Sequence, residues 1–149
     1  MNSEEVEVEL EIIVPTEAQT KELFNQLVNR CHSISHESSP RYEDHVNFVN
    51  NHPYRAWYII KQMKKTIGTI YVQYDNSIGL NCNDNVSELQ IKKILNVINA
   101  KLLALEAVPS VRFGGFFLNV ASSNIALQEK LKNIGLRESQ RSFFLDKDL

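Results

Sequence analysis

The stretch from His52 to Asn81 (HPYRAWYIIKQMKKTIGTIYVQYDNSIGLN) allows this chain few architectures. Ala56 to Met63 is aromatic and β-branched, the composition that suits a pleated, half-buried surface. Lys64-Lys65 reads as a polar turn. Thr66 to Tyr74 then sets Ile70 and Val72 on one face and Thr69, Tyr71 and Gln73 on the other. Asp75-Asn76-Ser77 has the short polar side chains that bond nearby backbone and tolerate turn geometry. Ile78-Gly79-Leu80 begins a third strand, and Gly68 and Gly79 each mark a bulge or a close backbone approach. Connections this short force antiparallel neighbours, so a three-stranded meander is expected.

The remaining segments read as helices and strands around that meander. Val6, Val8, Leu10 and Ile12 alternate with Glu7, Glu9 and Glu11, a period-two strand that Pro15 ends. Thr16-x-x-Gln19 is a capping box for a helix to about Arg30, with Leu23, Phe24, Leu27 and Val28 as its apolar stripe. After the loop CHSISHESSP, Ser39 and Pro40 suit the start of a second helix, with Tyr42, Val46 and Val49 or Phe48 facing inward. Ser87-x-x-Gln90 is another capping box, opening a helix to about Glu106 along Ile91, Ile94, Leu95, Ile98, Leu102 and Leu105. Val111 to Val120 predicts a buried strand, Asn124 to Ile134 a helix stopped by Gly135, and Leu136 to Leu145 a final strand. The order is β-α-α-β-β-β-α-β-α-β. The fold class is therefore α/β, with a mostly antiparallel sheet flanked by helices.

At 149 residues, with 43% hydrophobic and 23% charged side chains, the chain suits one soluble domain spanning 1–149. A net charge of −2 gives no electrostatic case for nucleic acid or an anionic membrane. Lys64-Lys65 and Lys92-Lys93 read as solvated faces. No apolar run reaches the roughly 20 residues that span a bilayer. The start MNSEEVEVE lacks the charged and apolar regions of a signal peptide, so a cytoplasmic location is expected. Cys31 and Cys82 are too few for a disulfide framework, and no His or Cys spacing suggests a metal.

Two stretches carry a family resemblance. Glu43 to Leu80 (EDHVNFVNNHPYRAWYIIKQMKKTIGTIYVQYDNSIGL) resembles the middle of acetyltransferases acting on amino sugars in surface-polysaccharide pathways. Leu118 to Leu136 (LNVASSNIALQEKLKNIGL) is similar to a strand and Asn-started helix of the same Gcn5-related N-acetyltransferase (GNAT) superfamily. The resemblance implies an acyl-CoA N-acyltransferase fold and transfer of acetyl from acetyl-CoA to a small-molecule amine. It implies that the cofactor's pantetheine pairs with the fourth strand, here Ile78 to Cys82 and centrally Leu80, Asn81 and Cys82. It also implies a diphosphate loop at Ser87 to Lys92, with Ser87, Gln90 and Lys92 in the signature places, and a cofactor contact from Asn124.

This chain departs from the pattern at two points. Ser87 to Lys92 contains no glycine, Glu88 adds a negative charge, and the capping box competes for the amides that a diphosphate needs. The position where many members carry a proton-donating Tyr is Leu131. Weak or absent acetyl-CoA binding is the expectation. For a general base the candidates are Asp84, His45 and His52, though a loop carboxylate or a surface or capping histidine is the more ordinary reading of each. Asn124 also reads as an ordinary helix cap, and Cys82 as a small apolar residue. Trp57, Tyr58 and Tyr71 suit either a sugar pocket or the core. A non-catalytic descendant, using the same fold to bind a partner or ligand, stands as the alternative.

Overall fold

The computed structural model describes residues 7–29 and 41–148. The elements are β1 (Glu9–Ile12), α1 (Glu17–Val28), α2 (Tyr42–Asn50), β2 (Ala56–Gln62), β3 (Lys65–Val72), β4 (Ser77–Cys82), α3 (Glu88–Lys101), β5 (Phe117–Leu118) and α4 (Ile125–Asn133). The five strands form one sheet in chain order, antiparallel from β1 to β4 and parallel between β4 and β5. The meander is as expected: Tyr58 lies opposite Ile70, and Ile70 opposite Leu80.

Strand alternation divides the core in two. Tyr58, Ile60, Ile70, Val72, Ile78 and Leu80 face α3 and α4, against Ile91, Ile94, Ile98, Leu127 and Leu131. Trp57 and Ile59 face the other way, against Leu23 of α1 and Val49 of α2, with Tyr54 and Tyr71 packed beside them. The sheet is thus the middle of three layers. Burying an Ile or Leu contributes about 1.5–3 kcal/mol, and the α3/α4 side holds most of that apolar area. The α1/α2 side is smaller, richer in aromatics, and not closed.

Asn76 ties the two halves of the chain together. It sits in the β3–β4 turn at φ 71°, a left-handed conformation that Asn tolerates better than most residues, and it is fully buried. Its Nδ2 donates to Leu105 O (2.9 Å) and Phe113 O (2.7 Å), and its Oδ1 accepts from Leu105 N (2.7 Å). Its main-chain O accepts from Phe117 N at 3.2 Å. Arg112 reinforces the clip, donating to Glu106 O and Tyr74 O. The segment after α3 is therefore held extended and steered back beside β4.

Several sequence expectations are corrected by these contacts. The helix expected to reach Glu106 ends at Lys101, because Leu102 is extended and Leu105 is engaged by Asn76. The strand expected over Val111 to Val120 is limited to Phe117–Leu118, and Val111 and Phe113 are exposed. The final strand over Leu136 to Leu145 does not form, leaving Phe143, Phe144 and Leu145 in solvent. The β2–β3 turn is Met63-Lys64, both at positive φ, rather than Lys64-Lys65. Ile12 is exposed, and Ile13 packs inward in its place. Thr16 caps α1, but Gln19 reaches past it to Val14 N and Ile12 O, so the box is only half formed. In α2 the buried pair is His45 and Val49. Val6, Cys31, Ser39 and Pro40 lie outside the described residues.

The weight placed on Asn76 is testable. Asn76→Ala leaves three part-buried backbone partners without their bonds to a fully buried side chain, each costing about 1 kcal/mol, so a loss of about 3 kcal/mol is expected in urea unfolding. Asn76→Gly loses the same bonds but accepts positive φ, and should be about 1 kcal/mol less damaging than the alanine.

Candidate functional site

β4 is the strand whose two ends differ. Ser77 and Ile78 pair with Phe117 and Leu118, and Asn119 N donates to Ile78 O at 3.2 Å. Beyond Ile78 no further β4–β5 pair forms, while Leu80, Asn81 and Cys82 remain paired with β3 on the other side. An opening therefore begins beside Gly79. Leu80 turns its side chain into the α3/α4 core, and alternation turns Asn81 toward α1 and α2.

On that side lies a cavity of about 260 Å³. The sheet contributes Trp57, Thr69, Tyr71 and Asn81, α1 contributes Leu23, Gln26 and Leu27, and α2 contributes Asp44, His45 and Phe48. Tyr54, just before β2, completes an aromatic wall. Tyr54 stacks on Tyr71 with centroids 4.1 Å apart and planes 9° from parallel. Trp57 meets Tyr54 edge-on at 5.2 Å and Phe48 at 5.8 Å. Gly79 makes this possible, since a Cβ there would overlap the Tyr71 ring. Of the aromatics expected near a pocket, Trp57 and Tyr71 line it. Tyr58 does not, because it belongs to the opposite face.

The three base candidates are placed very differently. His45 lines the cavity, is 4% exposed, and its Nε2 donates to Thr20 O at 3.2 Å. A carbonyl only accepts, so the proton sits on Nε2 and the neutral ring keeps its lone pair on Nδ1. Burial lowers its pKa, partly opposed by the Thr20 bond. His52 packs against Trp57 and Tyr54, and its Nδ1 accepts from Tyr54 N at 3.2 Å, so it is engaged in holding the wall. Burial lowers its pKa too. Asp84 is exposed on the β4–α3 loop and is not among the cavity residues.

The loop expected to hold a diphosphate is occupied by its own side chains. Ser87 Oγ accepts from Gln90 N (3.1 Å) and Gln90 Oε1 accepts from Ser87 N (2.7 Å), a complete capping box. Gln90 Nε2 also donates to Gln62, and Glu88 accepts from Asn133 Nδ2 at 2.8 Å. Lys92 is exposed. Two of the amides that would meet a phosphate are thus already bonded, and a carboxylate stands beside them. These residues do not fit a diphosphate. The open edge of β4, by contrast, suits an extended chain that pairs with backbone. Asn124 caps α4, its Oδ1 accepting from Leu127 N at 3.2 Å. Leu131 is core. Burial raises the Cys82 thiol to about 11, with Asp84 adding to the shift and Lys130 opposing it, so Cys82 stays protonated at neutral pH.

Sequence reasoning missed Asp44, Phe48 and Tyr54 as cavity residues. Tyr54 follows Pro53 directly before the aromatic strand, a position from which a ring reaches back over that strand. Asp44 precedes His45 by one residue and carried no signal of its own. Lys130 was also missed. It reaches from α4 to the carbonyls of Asp84 and Val86 and fixes the β4–α3 loop, a contact without any local motif.

Both histidines resist protonation in the fold, so the unfolded chain binds more protons as pH falls below about 6.5. The stability present above that value is therefore lost on acidification toward the lowered folded pKa values. The slope is at most about 1.4 kcal/mol per pH unit for each histidine. His45→Gln, which keeps a donor for Thr20 O, should flatten the profile between pH 7 and 5.

No family profile and no curated protein sequence matches the chain. Solved structures do. A domain from Methanocaldococcus jannaschii superposes with a TM-score of 0.62 at 10% identity, over 91% of this chain and 92% of that one. An acetyltransferase from Thermus thermophilus gives 0.58 at 15% identity, over 87% and 86%. AAC(6')-Iy, in complex with the bisubstrate analogue CoA-S-monomethyl-acetylneamine, gives 0.52 at 12% identity, over 95% and 98%. The mixed five-stranded sheet, its helical layers and these likenesses agree: the chain has the GNAT-like acyl-CoA N-acyltransferase fold.

Proposed function

We propose that this protein transfers an acetyl group from acetyl-CoA to a small-molecule amine; the amino sugar that the sequence resemblance suggests as acceptor is disfavoured by the largely apolar cavity. One observation carries the proposal. Asn81 belongs both to the half of β4 that lacks a β5 partner and to the wall of the aromatic cavity, so a donor site and an acceptor site would share a boundary. Acetyl-CoA supplies the activated acyl group. The chain's own part is to hold the amine in a largely apolar cavity, exclude water and accept a proton. His45 is the proposed proton acceptor, because it lines the cavity as a neutral ring with an available lone pair. Leu80, Asn81 and Cys82 would line the donor arm through their backbone.

The capping box favours a second reading. With Ser87 and Gln90 bonded to each other's backbone, the usual anchor for acetyl-CoA is lost, as suits a descendant that binds a ligand without turning it over. A single pair of measurements separates the two. Mass detection of N-acetylated product, with acetyl-CoA and a panel of amines, should reveal slow turnover, reduced at least 100-fold in His45→Gln. Calorimetry should give a dissociation constant for acetyl-CoA well above micromolar. The double variant Glu88→Gly, Gln90→Gly should tighten it roughly tenfold, despite about 1 kcal/mol of helix cost per glycine. No product with any amine selects the binding module. Micromolar binding that the glycines weaken contradicts the reading of the loop.

A further inference from the structure

The cavity's chemistry restricts what can enter it. Its volume of about 260 Å³ is less than twice the roughly 150 Å³ that houses one benzene ring, which leaves room for roughly ten heavy atoms. Its walls are dominated by Phe48, Tyr54, Trp57 and Tyr71. Phe48 and Tyr54 each meet Trp57 nearly at right angles (73° and 82°), while Tyr54 and Tyr71 lie parallel. Ring planes thus lie in more than one direction around a small space, and an aromatic lining of this kind attracts a cation and accommodates a flat apolar body.

Charge points the same way. Asp44 contributes the one carboxylate among the described lining residues, and no Lys or Arg is among them. His45 is held neutral there. The cavity therefore attracts positive charge, and has one anionic partner for it. A polyamine would bring further charges that nothing there neutralises. A hexosamine would find only Gln26, Thr69 and Asn81 as uncharged polar partners outside the aromatic residues, and each further hydroxyl left against ring carbons costs about 1–3 kcal/mol.

We propose that the cavity selects a primary monoamine with a compact aromatic or aliphatic body, its ammonium set between Asp44 and the ring faces. The inference rests on the acceptor reading only for turnover, since binding is measured without a donor.

Trp57 is the single tryptophan of the sequence and lines the cavity, so its fluorescence reports occupancy. Phenethylamine, 2-phenylethanol, glucosamine and spermidine are titrated separately without acetyl-CoA, and calorimetry repeats each series. Phenethylamine should bind at least tenfold more tightly than any of the other three. Asp44→Asn, at an exposed position, should erase the gap between phenethylamine and its neutral isostere while leaving the melting temperature nearly unchanged. Tighter binding of glucosamine or spermidine overturns the proposal, as does a gap that survives Asp44→Asn, or no saturable binding of phenethylamine. Phenethylamine binding without acetylation upholds this selectivity and counts against acetyl transfer. Acetylation of glucosamine alone does the reverse.

Discussion

The hydrogen bonds of Asn76 set the geometry on which the rest depends. A buried side-chain amide bonded to Leu105 and Phe113 fixes where the chain runs after α3, and the main-chain bond to Phe117 starts β5 at one end of β4. Because β5 is anchored there and pairs for two residues, the far half of β4 is left without a neighbour. A continuous hairpin return would have paired that half and closed the opening. Three part-buried bonds made by a fully buried amide, each costly to leave unmade, outweigh the unfavourable positive φ that Asn76 must adopt.

The sheet separates stability from chemistry by simple alternation. Even-numbered residues of β2, β3 and β4 pack under α3 and α4 in a dense aliphatic layer. Odd-numbered residues bring Trp57, Thr69, Tyr71 and Asn81 to the thinner α1/α2 side. Gly79 is the point where the two requirements meet. It lies between Ile78 and Leu80, which are core, and its missing side chain gives Tyr71 room to stack on Tyr54. Ring-on-ring contacts among Phe48, Tyr54, Trp57 and Tyr71 brace the cavity wall. On the donor side the same logic runs against ligand binding: Ser87, Gln90, Glu88 and Asn133 satisfy one another and leave little for a phosphate.

Much of the fold was legible because it is written in local patterns. The β2–β4 meander, the Ser87 capping box and the apolar stripe of α3 each depend on residues close in sequence, and each is present. The errors share a cause in long-range contact. Leu102 to Leu105 continue the helical stripe in sequence, but Asn76, 29 residues away from Leu105, claims that segment as extended chain. Val111 and Phe113 have strand composition, yet Arg112 ties their loop to Glu106 and Tyr74. The apolar run at Phe143 to Leu145 looked like the end of a final strand and finds no partner strand among the described residues. At the candidate site, His45 was visible as a chemistry-bearing type, and Asn81 only as part of the strand that the family resemblance pairs with the cofactor. Their convergence with Asp44 and Tyr54 was not, since three separate segments meet there.

The most direct test is to block the shared boundary. Asn81→Phe places a ring where the cavity meets the unpaired half of β4, while the Trp57 end of the cavity stays intact. If the two regions form one transfer site, the wild-type protein acetylates a small monoamine, and Asn81→Phe loses that activity at least 100-fold while its Trp57 fluorescence still responds to the amine. Undiminished transfer by Asn81→Phe, or no acetylated product from the wild-type protein, would contradict a joined site.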